Sequence, residues 1–273
     1  MFDINHLSPS HLKIAQWIRH NESAVMIASE KDIAEATGVS IASVSRFWRM
    51  IGCRNLKEYK QKLKAKQEVT PAKKMLKTIG NLEYTDVQSH HLSRSIRHLQ
   101  ATLDHFQRDP FNKAVKLIQE SSRLYVYAPG PSISLGELLC YRLRRFGQDA
   151  RCLRWMGSEL LEEMVHIDKS CTVLIFAFGR ILKEGEVLLK HAMDTGYKTI
   201  VVTDQLVLDT SFPFDVFLYA DRGDKDEFHS MIAPLFLLEN LIMEMGKAGQ
   251  PHQMEHLERL DSLRRKYRDD LPR

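Results

Sequence analysis

Ser40, Ser43, Ser45, Arg46 and Arg49 crowd into one short stretch of the segment EKDIAEATGVSIASVSRFWRMIG, residues 30–52. A serine hydroxyl donates to a phosphate oxygen or a base edge, and an arginine guanidinium pairs in bidentate fashion with guanine. Arg49 and, further along, Lys57 suit phosphate contacts better than base edges. These groups reach nucleic acid only if a helix carries them and presents its N-terminal end. The pattern supplies that: Ser29 reads as the cap of one helix carrying Ile33, Ala34 and Thr37, and Ser40 as the cap of the next. Between them Gly38 provides the left-handed residue a sharp bend needs, and Val39 a small apolar plug. Ala36 and Val44 are the expected contacts between the helices, with Ser43, Ser45 and Arg46 outward. The same spacing also suits a helical bundle whose serines and arginines are simply solvated.

Further helices flank this pair. One starts near Ser8 or Ser10 and packs through Leu12, Ala15, Trp17 and Ile18; another runs from about Asn55 to Lys66. Lys60, Lys62, Lys64 and Lys66 do not share one helical face and read as solvated. Residues 1–80 carry 14 Lys and Arg against 7 Asp and Glu within a chain of net charge +4, so the remainder is slightly acidic. A basic N-terminal third fits a local polyanion contact, and equally a lysine-rich solvated helix.

The 273-residue chain is 44% hydrophobic and 27% charged, as a folded protein of one large or two ordinary domains should be. No apolar run approaches the roughly 20 residues of a membrane helix, and MFDINHLSPSH lacks a signal-peptide pattern. Cys53, Cys140, Cys152 and Cys171 form no CxxC pair and read as small buried residues. A cytoplasmic protein without a membrane partner is the expectation.

Residues 1–80 are therefore expected to form a wholly helical domain. The connection runs over residues 67–110, with breakers at Thr70-Pro71 and Gly80-Asn81 and a connecting helix over 81–110 that carries a stripe at Leu92, Ile96, Leu99, Leu103 and Phe106. Residues 111–250 alternate between helices and apolar runs at 124–128, 150–153, 172–178, 198–203 and 216–219. The runs at 172–178 and 198–203 are apolar on both sides, as buried parallel strands are. Intervening helices are expected at 111–120, 134–146, 158–165, 184–194 and 228–245. This order predicts a doubly wound parallel sheet. Residues 251–273 read as a charged helical tail held by Leu257, Leu260 and Leu263.

Ligands of such sheets bind outside the C-terminal strand ends. Here those ends are 128–134, 178–183 and 203–204, and each loop leads toward a helix N-terminus that favours an anion. The residues placed there are Gly130, Ser132 and Ser134; Gly179, Arg180 and Lys183; and Thr203.

The stretch LSPSHLKIAQWI, followed by SEKDIAEATGVSIASVSRFWRMIGCRNLKEYK, resembles the N-terminal domain of RpiR-type bacterial transcription regulators. The match runs through Ile33, Ala34, Gly38, Val39, Ser40, Val44, Arg46, Phe47, Arg49 and Gly52, with departures at Trp48 and Cys53. The resemblance implies an all-α helix-turn-helix domain followed by an α/β sugar-isomerase-type (SIS) domain that commonly binds phosphosugars. RLYVYAPGPSISLGELLCYRLRRFGQDARCL and TVLIFAFGRILKEGEVLLKHAMDTGYKTIVVTD agree with that order. Both ligand loops depart from the family. In APGPSIS, Ala128 replaces the first glycine of a GxGxS pattern, and Pro129 and Pro131 remove backbone donors. Ser132 and Ser134 either offset that loss or merely cap the next helix. In the second loop the three hydroxyls of the family's SxSGxT pattern become Phe176, Phe178 and Ile181. A phosphate facing them loses hydrogen bonds worth roughly 0.5–3 kcal/mol each. Arg180 and Lys183 either compensate by charge or form a solvated loop edge.

Glu137, Glu184, Glu227 and His229 are the acid–base candidates for an isomerase, but none lies in a distinctive motif. His252 and His256 share a helix spacing without a third metal ligand. His90, His91, His98 and His105 read as packed or solvated. The expectation is a regulator without cofactor, metal or catalysis. It would read a double-stranded operator as a homodimer or homotetramer, through Ser40, Ser43, Ser45, Arg46, Arg49 and Lys57, under control of a small anionic effector. The alternatives are a phosphosugar isomerase with an accessory helical domain, and a scaffold that does not bind DNA.

Overall fold

The computed structural model describes residues 8–67, 70–80, 86–248 and 251–271. Asn81, the first seven of the residues tested for a signal pattern, and the side chains of Lys64, Lys66 and His252 lie outside the described set. The chain forms two compact units, Met1–Thr70 and Pro71–Arg273.

The first unit is helical: α1 (Pro9–His20), α2 (Glu22–Val25), α3 (Glu30–Thr37), α4 (Ile41–Met50) and α5 (Leu56–Gln67). Ser8 caps α1, accepting from the His11 amide, with Pro9 in the first turn. Its core joins Ile14, Ala15 and Ile18 to Ile33, Ala34, Val44, Phe47, Trp48 and Leu56. Two expectations change. Ile14 is fully buried whereas Trp17 only packs at the margin, and Ala36 is exposed because Ile33 and Ala34 are the residues of α3 turned inward. The four-residue α2 was not legible, being too short to show a period.

In the second unit come α6 (Pro71–Gly80), α7 (Val87–Asp104), α8 (Arg108–Glu120), β1 (Leu124–Tyr127), α9 (Ile133–Arg145), β2 (Ala150–Leu153) and α10 (Leu160–Met164). They are followed by β3 (Thr172–Phe176), α11 (Lys183–Thr195), β4 (Lys198–Thr203), β5 (Val216–Tyr219), α12 (Ile232–Ala248) and α13 (His252–Lys266). The sheet order is β2-β1-β3-β4-β5, every pair parallel, with Leu124 opposite both Ala150 and Thr172. Alternate strand residues feed two cores. Leu124, Val126, Leu174, Phe176, Ile200 and Val202 meet α8, α9 and α12 through Ile118, Leu139, Leu143 and Leu241. Tyr125, Val173, Ile175 and Val201 meet α10 and α11 through Leu160, Leu188 and Leu189. Burial on both faces explains why these strands read as continuous apolar runs.

Residues 71–80 belong to this second unit, not to the helical one. The Lys77 ammonium donates to Asp226 at 2.7 Å, and the Thr78 hydroxyl accepts from the Phe228 amide at 3.1 Å. The helix expected from Phe228 starts at Ile232, because the preceding segment turns back: the Ser230 amide donates to the Arg222 carbonyl. A 3-10 turn at Gly157–Glu159 shortens the helix expected at 158–165. In the tail, Leu257 and Leu260 are half-buried and Leu263 is exposed.

α7 reverses the usual arrangement. Its buried residues are Arg94, Ser95, His98 and Thr102, while Leu92 (62% exposed), Ile96 and Leu103 face outward. The polar side is bound by specific partners: Arg94 donates to Glu227 at 2.8 Å, and Thr102 accepts from the Asp221 amide at 3.0 Å. His98 pairs with Asp221, whose carboxyl is held below its ordinary value by hydrogen bonding and charge from His98, against the opposing effect of burial. α6 does likewise, burying no residue and exposing Met75, Leu76 and Ile79.

Candidate DNA-reading helix and ligand cleft

The α3–α4 pair is fixed by three local devices. A capping box closes α3: the Ser29 amide donates to Asp32 at 2.7 Å and the Asp32 amide donates to the Ser29 hydroxyl at 3.2 Å. These bonds from Ser29 hold the Asp32 carboxyl below its ordinary value. Gly38 ends the helix at φ 65°, ψ 32°, letting the Val39 amide donate back to the Ala34 carbonyl at 3.1 Å. Ser40 then caps α4, accepting from the Ser43 amide at 3.2 Å. Val44, Phe47 and Trp48 anchor α4 to the core, so its opposite side is left open.

That open side carries Ala42, Arg46 and Arg49, all exposed; Ser43 and Ser45 flank it, half-buried. Ser40 and Ser43 lie with hydroxyls 3.0 Å apart, and Arg46 reaches Ser43 Oγ at 3.5 Å. The N-terminal end of α4 thus assembles two hydroxyls and a guanidinium. Ala42 escaped the sequence reading because alanine bears no donor, yet its methyl suits contact with a thymine methyl. Lys57 is exposed at the start of α5. Lys60 and Lys62, read as solvated, instead donate to the carbonyls of Ala28 and Gly52 at 2.8 and 2.7 Å. Glu58 ties this end together, accepting from the Arg54 amide at 2.8 Å and pairing with Lys62 at 3.2 Å. Those bonds pull its carboxyl down to about 2.

At the C-terminal edge of the sheet the predicted ligand residues fare unevenly. Gly130 has φ 57° and lies exposed at the tip of the first loop. Ser132, only 3% exposed, makes no capping hydrogen bond with its side chain. The Ser134 hydroxyl closes its own turn, donating to the Pro131 carbonyl at 3.1 Å. In the second loop the Gly179 amide donates to Asp204 at 2.6 Å, so a donor the loop would offer an anion already serves a carboxylate. Arg180 is exposed, and Lys183, 89% exposed at its side chain, pairs with Glu186. Ile181 is buried because it packs on Gly185, where an added methyl would come within 2.8 Å of it. Thr203 corrects an expectation: it is fully buried, and its hydroxyl donates to the Ala177 carbonyl at 2.7 Å and accepts from the Gln205 amide. It braces two strand ends and has no hydroxyl to spare for a ligand.

Three residues unread as ligand groups gather at the same edge. Arg222 follows β5; its guanidinium stacks 4.5 Å over the Phe178 ring and lies 3.4 Å from Asp204. Lys74 of α6 donates to His229 Nε2 at 3.1 Å. The acid–base candidates have structural partners instead. Glu137 binds Arg154, Glu184 accepts from the Tyr127 hydroxyl and the Gly157 amide, and Glu227 binds Arg94. Among the described residues no three His, Cys, Asp or Glu side chains are grouped to hold a metal ion, and no helix is long and apolar enough to cross a membrane.

A capped helix pair with an open basic face, followed by a doubly wound parallel sheet with glycine turns in the loops after β1 and β3, defines a helix-turn-helix regulator in two parts. Residues 3–69 match the family model described as the helix-turn-helix domain of the rpiR family. An uncharacterized HTH-type transcriptional regulator of Caldanaerobacter subterraneus is 24% identical over 72% of this chain and 69% of its own length. The sugar isomerase domain of an RpiR transcription factor from Sphaerobacter thermophilus superposes with a TM-score of 0.60 at 20% identity, over 64% of this chain and 98% of that one. The NanR protein of Vibrio vulnificus, solved in complex with ManNAc-6P, gives 0.57 at 19% identity, over 96% and 95%. The N-terminal part of the chain is thus a helix-turn-helix domain of the rpiR type, and the C-terminal part has the fold of a sugar isomerase (SIS) domain.

Proposed function

We propose that this regulator reads a two-fold symmetric operator as a homodimer, and that a small anion in the cleft at the C-terminal edge of its sheet changes its hold on DNA. The observation that carries the DNA half is the open face of α4, with Ser40, Ser43 and Arg46 at its N-terminal end and Ser45 and Arg49 beside them. Lys57 adds a phosphate contact. The anion half draws on the helix N-termini and glycine turns at the strand ends, with Gly130, Ser132, Ser134, Gly179, Arg180 and Lys183 as its loop residues. The ManNAc-6P complex of NanR supports a sugar phosphate or a related acid as the ligand class. Binding without turnover is favoured because Glu137, Glu184 and Glu227 are each engaged with a structural partner. The test is footprinting on operator DNA with and without a panel of sugar phosphates and organic acids. A shift of the protected region's midpoint with one compound is expected. Turnover of that compound in the absence of DNA would favour the isomerase reading.

The outward apolar stripes of α6 and α7 support the dimer. Leu92, Ile96 and Leu103 on α7, and Met75, Leu76 and Ile79 on α6, are each exposed large apolar side chains. A second copy of the chain is the natural cover, since a symmetric operator demands two heads. A Leu92→Glu, Ile96→Glu double variant is expected to run as a monomer in light scattering and to lose cooperative operator binding. An unchanged mass would remove α7 from the interface.

A further inference from the structure

Arg222 is the most enclosed cation of the described ligand edge, 6% exposed. A guanidinium carries five N–H donors. This one has a single carboxylate near it, Asp204 at 3.4 Å, and its Nε has no hydrogen-bond partner. Asp204 is itself shared, accepting from the Gly179 amide at 2.6 Å and the Gln205 amide group at 3.0 Å. Beside it, the Lys74 ammonium is spent on a neutral imidazole, His229. The other nearby carboxylates are taken: Asp226 by Lys77 at 2.7 Å and Glu227 by Arg94 at 2.8 Å. Two cations and a protonatable imidazole therefore converge on one carboxylate, over the flat apolar floor of the Phe178 ring.

We propose that Arg222, Lys74 and His229 are the subsite that holds the effector's charged head, and that this head is a dianionic oxyanion of the phosphate-monoester type. The assignment rests on the reading above that the cleft takes a small anion. It accounts for the loss of hydroxyls from the second loop: the anion is held by side-chain charge from α6 and the β5 end, not by Phe176, Phe178 and Ile181. The charge balance selects a dianion. Lys74 and Arg222 against Asp204 leave one positive charge, and a proton taken up by His229 supplies the second. Burial and the neighbouring Arg222 and Lys74 push His229 below its ordinary value, and burial and Arg222 lower Lys74 likewise. A dianion among them reverses those repulsions. The charged groups that act on His229 are Lys74 of α6, Asp204 after β4 and Arg222 after β5; in its own segment Asp226 and Glu227 are paired with Lys77 and Arg94. The subsite also gives the ligand a lever. α6 buries no residue, is held by Lys74, Lys77 and Thr78, and begins at Pro71, the first residue of the second unit.

The test uses the full chain and two probes, inorganic phosphate and sulfate, with thermal melting at ionic strength held constant by chloride. Both dianions are expected to raise the melting temperature of the second unit in a saturable way, and acetate is not. Lys74→Gln and His229→Gln are each expected to weaken the apparent affinity by about tenfold or more. Both sites are partly exposed, so these variants keep the test valid if Arg222→Leu fails to fold. Sulfate stays dianionic near neutrality, so its affinity in the wild-type chain falls as pH rises through the bound-state titration of His229, and calorimetry in two buffers reads net proton uptake. The pH effect vanishes in His229→Gln. Equal stabilisation by acetate overturns the dianion. Dianion binding that survives in both variants but disappears in Arg180→Gln, Lys183→Gln moves the anion to the second loop; that sinks this subsite and leaves the anion cleft standing. If neither dianion stabilises the wild type, the subsite is wrong, and the footprinting panel alone decides whether the cleft binds an anion.

Discussion

Arg46→Ala is expected to weaken binding to an operator fragment by roughly 10- to 100-fold, the loss of one bidentate base contact. The expectation rests on placement. Arg46 is exposed six residues beyond the Ser40 cap, on the side of α4 opposite Val44, Phe47 and Trp48, and within 3.5 Å of Ser43 Oγ. A hydroxyl at that distance limits the guanidinium's wandering, so less rotamer freedom is lost on binding. Arg49→Ala should behave differently. Affinity should fall about equally on specific and unrelated DNA, and the slope of log affinity against log salt should flatten by about one unit. Fluorescence anisotropy on a fragment selected by the wild-type chain, repeated over a salt series, separates the two. A uniform loss for Arg46→Ala, with specificity intact, would make Arg46 a phosphate contact and shift the base readout toward Ala42, Ser43 and Ser45.

The two parts of the chain differed in how openly the sequence displayed them. The helix-turn-helix was legible because its signals are local. Ser29, Gly38 and Ser40 each act within a turn of chain, and both caps and the left-handed turn form where the sequence places them. The strands were legible because a sheet covered on both faces leaves no polar alternation to mislead. What the helical stripe at Leu92, Ile96 and Leu103 did not display is the direction in which it points. In α7 the polar residues Arg94, His98 and Thr102 are buried by partners more than a hundred residues away, and no periodicity encodes that. Lys74 and Arg222 escaped for the same reason, and from sequence His229 reads only as an acid–base candidate. Lys74 and His229 stand 155 positions apart, and only the fold brings them together. Thr203 failed in the opposite direction. A hydroxyl at a strand end is in the right place for a ligand, but this one is consumed in bridging β4 to the residue after β3.

The second large effect concerns the neighbouring aromatics of α4, which are both fully buried yet should respond very unequally to substitution. Phe47→Ala should cost about 3–5 kcal/mol, the transfer free energy of the ring plus the cavity it leaves. That approaches the whole stability of a helical unit of this size, because a small core buries a small fraction of its chain. Calorimetry should then show the first unit largely unfolded at ambient temperature while the Pro71–Arg273 unit melts as in the wild type, and operator binding should vanish with the dianion-induced rise of the second unit preserved. Trp48→Phe should be close to neutral. The indole loses area and its 5.0 Å stacking on Tyr59, but its Nε1–H is buried without a hydrogen-bond partner, and removing an orphaned donor returns about 1–3 kcal/mol. Loss of both melting transitions in Phe47→Ala would show that the units fold as one. A Trp48→Phe penalty as large as that of Phe47→Ala would mean that the Trp48–Tyr59 stack, and not the phenylalanine beside it, holds the reading helix in place.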